Sequence, residues 1–279
     1  ESEIEPNVAQ WERDRHVPME IFRKAGQAGL CGLILPIEDG GYNLSLQELV
    51  PVFEKLAYSD MGFAFALVPH NNLANAIARQ ATPAVKSRYL PQLLSGDVIG
   101  AFLLTEPEVG SDASRITTTA ELNGDRWFLN GEKSWVTNSN RADLLRVYAQ
   151  TEPGSGAKGI AAFLVDTDQV GVTRTQPYDM LGGHATGAGG FAFTQVELQQ
   201  EQLLSPAGVA YPAAMNAIGL ARVLVAALCA GILQRALDDS VTRLIQRHAF
   251  GQRLADKQGL RWMLADVATD LNAARALTE

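Results

Sequence analysis

The periodicity of the chain changes twice, and these two changes constrain the fold more than any single motif. Apolar residues follow helical spacing up to about Gly96, alternate with polar residues over 99–208, and return to helical spacing from about Tyr211. Helices, then clustered strands, then helices predict an α+β multi-domain protein. We expect an N-terminal α-helical domain at 1–98, a middle antiparallel β-barrel or sandwich domain at 99–208, and the start of a C-terminal α-helical bundle at 209–279.

Local signals place the helices of the first domain. Ser45 and Glu48 form a capping box at the start of an apolar helical stripe. Thr82 followed by Pro83 is an N-cap with proline at the first helical position. The predicted helices are 18–29, one that begins at 45, 62–81 and 82–96, followed in the last domain by 211–248 and 255 to the end.

The middle domain contains two Asn-Gly pairs, at 123–124 and 130–131, between alternating segments. Asn-Gly is the strongest short-range signal of a hairpin turn, so both pairs predict that the chain reverses there. The predicted strands are 99–105, 117–122, 126–129, 144–150, 160–166, 172–176 and 191–196.

Composition excludes several classes of function. The 279 residues carry a net charge of −8, which argues against a nucleic-acid partner because phosphate binding needs clustered cations. Cys31 and Cys229 match no metal spacing and are predicted to be buried, reduced thiols of a cytoplasmic protein. The acidic start lacks a signal-peptide core. The apolar stretch 217–233 contains Arg222, so we expect a buried bundle helix rather than a membrane span.

The loop from Leu103 to Asp112 follows the first strand and has the composition of a ligand-binding turn. It offers the hydroxyls of Thr105 and Ser111, and Gly110 permits close approach of a ligand to the backbone. Successive amides in such a turn bind phosphates or ring carbonyls. Taken alone, the loop is better interpreted as a capped turn with no ligand.

The second motif is Trp135-Val136-Thr137-Asn138. If it lies on a strand, Trp135 and Thr137 point to the same face, where an aromatic ring and a hydroxyl suit the edge of a heterocycle. A tryptophan that merely fills the core is the alternative interpretation.

Two further segments are weaker candidates. The glycine-rich run 181–190 lacks the lysine of a phosphate loop, so we expect a mobile substrate-side loop between strands, in which His184 is not a base. Arg247 and Phe250 follow the long helix, where an arginine can bind a phosphate and an aromatic ring can stack on a base. Gly251 is the predicted C-cap of that helix.

Together and in this order, the motifs resemble those of the acyl-CoA dehydrogenase family. The resemblance spans essentially the whole chain. Its residues are Leu104–Pro107, Gly110–Asp112, Leu129–Asn138, Arg247, Phe250-Gly251, Gln258, Leu264–Asp266 and Ala273–Arg275, with Pro36, Gly40–Tyr42 and His70–Asn72 upstream.

The resemblance implies that FAD lies between the middle domain and the C-terminal helices of a homo-oligomer, a dimer or a tetramer. By analogy, Trp135 packs on the isoalloxazine, Thr137 hydrogen-bonds its redox-active nitrogen, and Arg222 lies near the substrate thioester. Ser111 serves both the FAD pyrophosphate and the acyl carrier. The implied FAD-binding residues are Phe102, Leu104, Thr105, Gly110, Ser111, Trp135, Val136 and Thr137, with Arg247, Phe250 and Gln258 reaching the FAD of a neighbouring subunit.

The implied reaction is α,β-desaturation of an acyl thioester, carried by CoA or a carrier protein. A carboxylate removes the α-proton while the β-hydride passes to the flavin, which then reduces an electron-transfer flavoprotein or another acceptor.

The chain departs from the family pattern at the catalytic base. In most members the base is a glutamate in later C-terminal helices, and in a minority it stands at the position of Ala221, which cannot accept a proton. Either the protein is longer than this sequence, or it performs another flavin reaction, as a monooxygenase or oxidase, or completes the site of a partner subunit. Gly219 and Ala249 also depart from the pattern near the ligands.

No residue of the chain is assigned a catalytic or metal-binding role from its sequence. Among the carboxylates of the middle domain, Glu106 and Asp112 are expected to support the loop. Asp143 and Asp179 are expected to lie in surface turns.

Overall fold

A computed structural model describes residues 2–278, and it confirms the predicted succession of helices, sheet and helices. Five helices precede the sheet: α1 (Val8–Asp14), α2 (Met19–Gln27), α3 (Leu46–Ser59), α4 (Met61–Gln80) and α5 (Pro83–Ser95). Two follow it: α6 (Ala210–Gln246) and α7 (Gln258–Thr278).

The predicted helix caps are present because they depend on local chemistry alone. The Ser45 amide donates to Glu48 Oε2 at 2.8 Å, and the Glu48 amide donates to Ser45 Oγ at 3.4 Å. Thr82 Oγ1 accepts from the Val85 amide at 3.4 Å, and Gly96 ends α5 in the left-handed conformation. These contacts satisfy backbone groups that a helix end leaves unpaired.

The middle domain is one mixed sheet. Its strands are β1 (Gly100–Leu103), β2 (Thr119–Asn123), β3 (Arg126–Val136), β4 (Leu144–Gln150), β5 (Ile160–Asp166), β6 (Val172–Arg174), β7 (Gly189–Gln199) and β8 (Leu203–Ser205). The order is β6-β7-β3-β2-β4-β5-β8, with β1 also paired to β4. Most neighbours are antiparallel as expected, but β4 pairs with β1 and with β2 in parallel.

The hairpin predicted at Asn123-Gly124 is present, whereas the one predicted at Asn130-Gly131 is wrong. β3 continues through both residues, and its pairing with β7 shifts between Leu129 and Gly131. Gly131 has φ +138, and a Cβ there would lie 2.6 Å from Thr118 Oγ1. Glycine therefore serves a β-bulge and a close backbone approach here, not a turn.

The long helix α6 is less buried than the sequence predicts. Leu224 and Leu228 pack into the helical core with α3, and Gly231 approaches so closely that an added Cβ would clash with the Glu54 carbonyl. Val225 and Ile232 on the same helix are exposed in residues 2–278. By length and composition α6 passes the test for a membrane span, as core helices also do. Within the described chain it belongs to the domain core through one face.

Two further predictions need correction. Cys31 is buried as expected, but Cys229 is exposed, because it lies on the uncovered face of α6. Helix α6 ends at Gln246, so Gly251 is not its C-cap. Phe250 (φ 54) and Gly251 (φ 76) instead form the turn between two short strands, β9 (His248–Ala249) and β10 (Gln252–Arg253).

Candidate functional site

A cavity of about 350 Å³ opens where α4, β1, the end of β3 and α6 meet. It brings together six of the cofactor- and substrate-binding residues that the family resemblance implies. These are Phe102, Leu104, Thr105, Trp135, Thr137 and Arg222. Two stretches separated by thirty residues of chain therefore form one wall, and α6 provides the opposite one.

A buried ion pair holds the two stretches against each other. Lys133 Nζ donates to Glu106 Oε1 at 2.8 Å and to the Leu104 carbonyl at 3.0 Å. The Ser134 amide also donates to the Thr105 carbonyl at 2.9 Å. Both ionised side chains are essentially inaccessible to water. The pair therefore fixes the loop to the strand that carries Trp135, as the expected structural role of Glu106 requires.

Glu106 has further partners that keep it ionised. Its carboxylate accepts from the Thr117 amide at 2.7 Å and from the Thr118 amide at 2.9 Å. Burial opposes ionisation, but the charge and hydrogen bond of Lys133 and these amides outweigh it and lower the pKa of Glu106 to about 2. Burial also lowers the pKa of Lys133, to about 8, against the attraction of Glu106.

Trp135 reaches the cavity by a route that the sequence did not indicate. The ladder with β7 shifts between Lys133 and Val136, and Trp135 adopts a left-handed backbone with φ 58. A bulky residue pays for that conformation, and such strain concentrates at functional sites. The bulge leaves the indole 63% exposed at the cavity and at 4.6 Å from the ring of Tyr178. Strand alternation was therefore the wrong reason for the correct expectation that Trp135 and Thr137 share a face.

Thr137 lies just beyond the end of β3, and its position is fixed by the next residue. Buried Asn138 donates through Nδ2 to the Ala66 carbonyl of α4 at 2.8 Å, and its amide donates to the Thr186 carbonyl at 3.0 Å. Thr105 and Thr137 both line the cavity, and in residues 2–278 neither hydroxyl has a hydrogen-bond partner. Two unpaired hydroxyls beside an exposed indole suit the edge and face of a polar heterocycle.

A second cavity, of about 380 Å³, continues on the other side of Trp135 and Thr137. Gly182 and Gly183 of the glycine-rich loop line it, together with Cys229 of α6. The loop is attached to α1, because His184 Nδ1 lies 2.8 Å from Glu12 Oε1. His184 thus holds the loop against α1.

Several predicted site residues lie elsewhere. Val136 is buried in the sheet core and lines neither cavity. Gly110 and Ser111 are exposed and outside both cavities, although a Cβ at Gly110 would meet nothing within 4 Å. The three remaining residues, Arg247, Phe250 and Gln258, are exposed and line neither cavity.

Other lining residues escaped detection in the sequence because they belong to helices whose spacing looked like ordinary core packing. Phe65, Val68 and Pro69 come from α4, and Ala217, Ile218 and Val225 come from α6. Asn72 and Ala221, which the family resemblance had already singled out, line the cavity as well. The described lining of the first cavity includes no carboxylate. Asp143 caps the Ile99 amide at 2.9 Å, and Asp179 pairs with Arg15 at 2.7 Å on the surface.

Three family models cover the chain in succession. They are the acyl-CoA dehydrogenase N-terminal domain at 1–97, the middle domain at 101–196 and the C-terminal domain at 211–279. This chain belongs to the acyl-CoA dehydrogenase family. Acryloyl-CoA reductase (NADH) of Anaerotignum propionicum is 35% identical over 281 residues, covering 100% of this chain and 71% of the relative. Rat mitochondrial short-chain specific acyl-CoA dehydrogenase is 33% identical over 279 residues, covering 100% of this chain and 68% of the relative.

Solved structures agree with this membership. A chain from work on the electron transferring flavoprotein of Acidaminococcus fermentans matches with TM-score 0.93 and 34% identity, over 99% of this chain and 73% of that one. A glutaryl-CoA dehydrogenase of Mycobacterium smegmatis, solved with FADH2, matches with TM-score 0.91 and 28% identity, over 99% of this chain and 70% of that one.

FAD is the cofactor of the acyl-CoA dehydrogenase family, and the residues of this site fit it. The apolar side chains of Phe102 and Leu104, the exposed indole of Trp135 and the two unpaired threonine hydroxyls suit a flat ring with a polar edge. The two cavities share Trp135 and Thr137 as lining residues, which gives such a ring room to extend on either side of them.

Proposed function

We propose that the protein catalyses FAD-dependent α,β-dehydrogenation of an acyl thioester. The single observation that carries this is the cavity that Trp135, Thr105, Thr137 and Arg222 line together with many apolar residues. The bound flavin supplies the hydride acceptor, and the protein supplies geometry, charge and proton transfer.

The residues divide this work by position. Trp135 packs on the flavin ring, while the Thr105 and Thr137 hydroxyls hydrogen-bond its polar edge. Phe102 and Leu104 exclude water from the reacting carbons, which strengthens every electrostatic interaction in the site. These roles are supported by the shared cavity and by the free hydroxyls.

Arg222 polarises or positions the substrate thioester. It lines the cavity on α6, one residue beyond Ala221, and has no ion-pair partner in the described chain. A cation there favours the negative charge that develops on the thioester oxygen as the α-proton leaves. The proton itself goes to a carboxylate that is not part of the described lining.

The remaining assignments are proposals of the same kind. Ser111 and Gly110 contact the FAD pyrophosphate, and Ser111 also contacts the acyl carrier, CoA or a carrier protein. The exposed group of Arg247, Phe250 and Gln258 reaches the FAD of a neighbouring subunit in a dimer or tetramer, which agrees with the 93% exposure of Phe250. The electron acceptor is an electron-transfer flavoprotein or another acceptor. The protein is cytoplasmic. Its three domains span residues 1–98, 99–208 and 209–279.

The test uses the full-length flavoprotein under anaerobic conditions. Adding a suitable acyl-CoA from a panel of chain lengths should bleach the oxidised flavin and yield the 2-enoyl-CoA. Binding of FAD without bleaching by any acyl thioester would overturn the proposal. Rapid reaction of the reduced flavin with oxygen would indicate an oxidase or monooxygenase instead, and absence of FAD until a second subunit is added would indicate a partner chain.

A second function is the reverse reaction, reduction of a 2-enoyl-CoA. The observation that favours it is the 35% identity to an acryloyl-CoA reductase, which exceeds the 33% identity to the rat dehydrogenase. Anaerobic reoxidation of the reduced flavin by an enoyl-CoA, faster than its reduction by the matching acyl-CoA, would establish this direction.

A further inference from the structure

Arg146 lies in the middle of β4 and is 1% exposed, yet most of its hydrogen-bonding capacity is unused. Within residues 2–278, its Nε and Nη2 atoms have no partner. Nη1 makes one long contact, 3.4 Å to Asn72 Oδ1. An arginine that is buried without acceptors costs several kcal/mol, on the order of a lost hydrogen bond at each donor plus the desolvation of the charge. Burial of Arg146 therefore lowers the stability of the fold, and the described residues do not use its free hydrogen-bond donors.

Arg146 also has no carboxylate as an ion-pair partner in the described chain. Burial lowers the pKa of Arg146, and among the described residues this effect is opposed by the neighbouring phenol of Tyr148 but by no carboxylate. Arg141 gives the contrast, because it is equally buried but donates to the Ala185 carbonyl at 2.8 Å and feels the attraction of Asp60. Arg146 has no such compensation.

Tyr148 adds a second unpaired donor at the same place. Its side chain is fully buried, and its hydroxyl has no partner in the described residues. The Arg146 guanidinium lies 5.1 Å from the centre of the Tyr148 ring, which holds it in place through a cation–π contact. Three unused polar atoms, two on Arg146 and one on Tyr148, thus form one cluster.

The cluster lies directly behind the wall of the first cavity. Arg146 is the cross-strand partner of Phe102, and the Phe102 ring lies 5.1 Å from that of Tyr148. Phe102 and Asn72, which both contact the cluster, line the cavity. Because the contact of Asn72 to Arg146 is long, turning the amide aside sacrifices little and opens the guanidinium to an acyl chain in the cavity.

We propose that Arg146, with Asn72 and Tyr148, binds a carboxylate at the far end of the acyl chain. The preferred substrates are then ω-carboxyacyl thioesters rather than plain acyl thioesters of the same length. A carboxylate presents two oxygens to the planar fork of an arginine and neutralises its charge, which a buried water would not do. This inference rests on the proposed function, since it names the substrate class of the same site.

The test compares matched pairs of substrates on the full-length flavoprotein, such as adipoyl-CoA with hexanoyl-CoA and glutaryl-CoA with pentanoyl-CoA. The kcat/KM ratio within a pair, measured with an artificial electron acceptor, should favour the carboxylated member by about 30-fold or more. Equilibrium dissociation constants of the corresponding enoyl-CoA products should show the same preference without any redox step.

Arg146→Met should abolish this preference, and Arg146→Lys should retain part of it, because lysine keeps the charge and loses the fork. Arg79→Met is the matched control, since Arg79 is an exposed arginine on α4 that bonds only Asn75, at 2.9 Å, and it should leave the ratio unchanged. Arg146→Met should also unfold no more easily than the parent protein when no substrate is present, because a methionine fills the space without an unpaired charge.

Three results would overturn the inference while leaving the proposed function intact. The first is a parent enzyme that reduces its flavin with plain and carboxylated chains equally well. The second is an Arg146→Met variant that weakens both members of each pair by the same factor, which would place Arg146 at the thioester carrier. The third is a marked loss of stability in Arg146→Met and Arg146→Lys, which would assign a structural role. Failure of every acyl-CoA to reduce the flavin would instead overturn the proposed function.

Discussion

Two buried cations lie on strands of the same sheet, and the protein treats them in opposite ways. Lys133 on β3 is fully buried and meets Glu106 and a backbone carbonyl at hydrogen-bonding distance. Arg146 on β4 is as deeply buried and has a single long contact to an amide. The first charge is satisfied within the chain, while the second is left to an external group.

The contrast between the paired Lys133 and the unpaired Arg146 indicates a different role for each cation. A satisfied buried pair rigidifies the segments that it joins, and here it joins the loop carrying Thr105 to the strand carrying Trp135. An unsatisfied buried charge lowers stability and is retained where a ligand completes it. One cation therefore shapes the flavin wall, and the other selects the acyl chain.

The largest effect should come from breaking the satisfied pair. In Lys133→Met, Glu106 remains buried without its cation, so the protein should lose about 3–5 kcal/mol of stability. The released loop should also lower FAD retention. Chemical denaturation and the flavin-to-protein absorbance ratio measure the two effects, with Lys158→Met, on the exposed face of a short turn, as control. Unchanged stability in Lys133→Met would show that the Lys133–Glu106 pair does not fix the loop to β3.

The pH dependence of stability should identify Glu106 as the partner. Its pKa is lowered from 4.5 to about 2 in the folded protein, so its contribution is present above about pH 4.5 and is lost as the pH falls towards 2. The stability difference between the parent protein and Glu106→Gln should therefore shrink by about 2 kcal/mol between pH 5 and pH 3. Glu108→Gln, in the exposed part of the same loop, should show no such change. A difference that stays constant over this range would contradict the assignment.

Trp135 tests the wall that the pair supports. Because its indole is exposed and its backbone is strained, Trp135→Ala should leave the stability of the FAD-free protein unchanged or slightly higher. FAD should bind about tenfold more weakly, since an aromatic contact of about 1 kcal/mol is lost together with buried area. Fluorescence titration of FAD into the apoprotein measures this, with Trp262→Ala on the exposed surface of α7 as control. Equal FAD affinity in the two variants would remove Trp135 from the flavin site.

The sequence predicts those parts of the fold that local chemistry decides. The Ser45–Glu48 capping box, the Thr82 cap and the Asn123-Gly124 hairpin each depend on residues a few positions apart, and all three are present. Asn130-Gly131 has the same local signal but a different outcome. There, Thr118 of the neighbouring segment lies against Gly131, and Asn130 Oδ1 accepts from the Gln195 amide at 2.8 Å, so contacts distant in sequence convert a turn into a bulge.

The site is predictable from sequence only where a motif carries it. The wall formed by the Thr105 and Thr137 stretches was expected, and so was Arg222 on α6. Most of the other lining residues of α4 and α6 were not, because helical spacing indicates a buried face without indicating whether that face packs or lines a cavity. Arg146 gave no signal for the same reason. A strand pattern indicates that alternate residues are buried, but only the folded structure shows that Arg146 has no acceptor beside it.

The smallest effect should come from Tyr148, the tyrosine beside Arg146. Tyr148→Phe removes a buried hydroxyl that has no partner in the described chain, so the substrate-free protein should be as stable as the parent or slightly more stable. Tyr89→Phe is the matched control, because the Tyr89 hydroxyl donates to Asp166 at 2.8 Å and its loss should cost about 1 kcal/mol. Both changes are measured by urea denaturation at neutral pH. If Tyr148→Phe costs as much as Tyr89→Phe, the hydroxyl has an acceptor within the protein, and the cluster around Arg146 is already complete without a ligand.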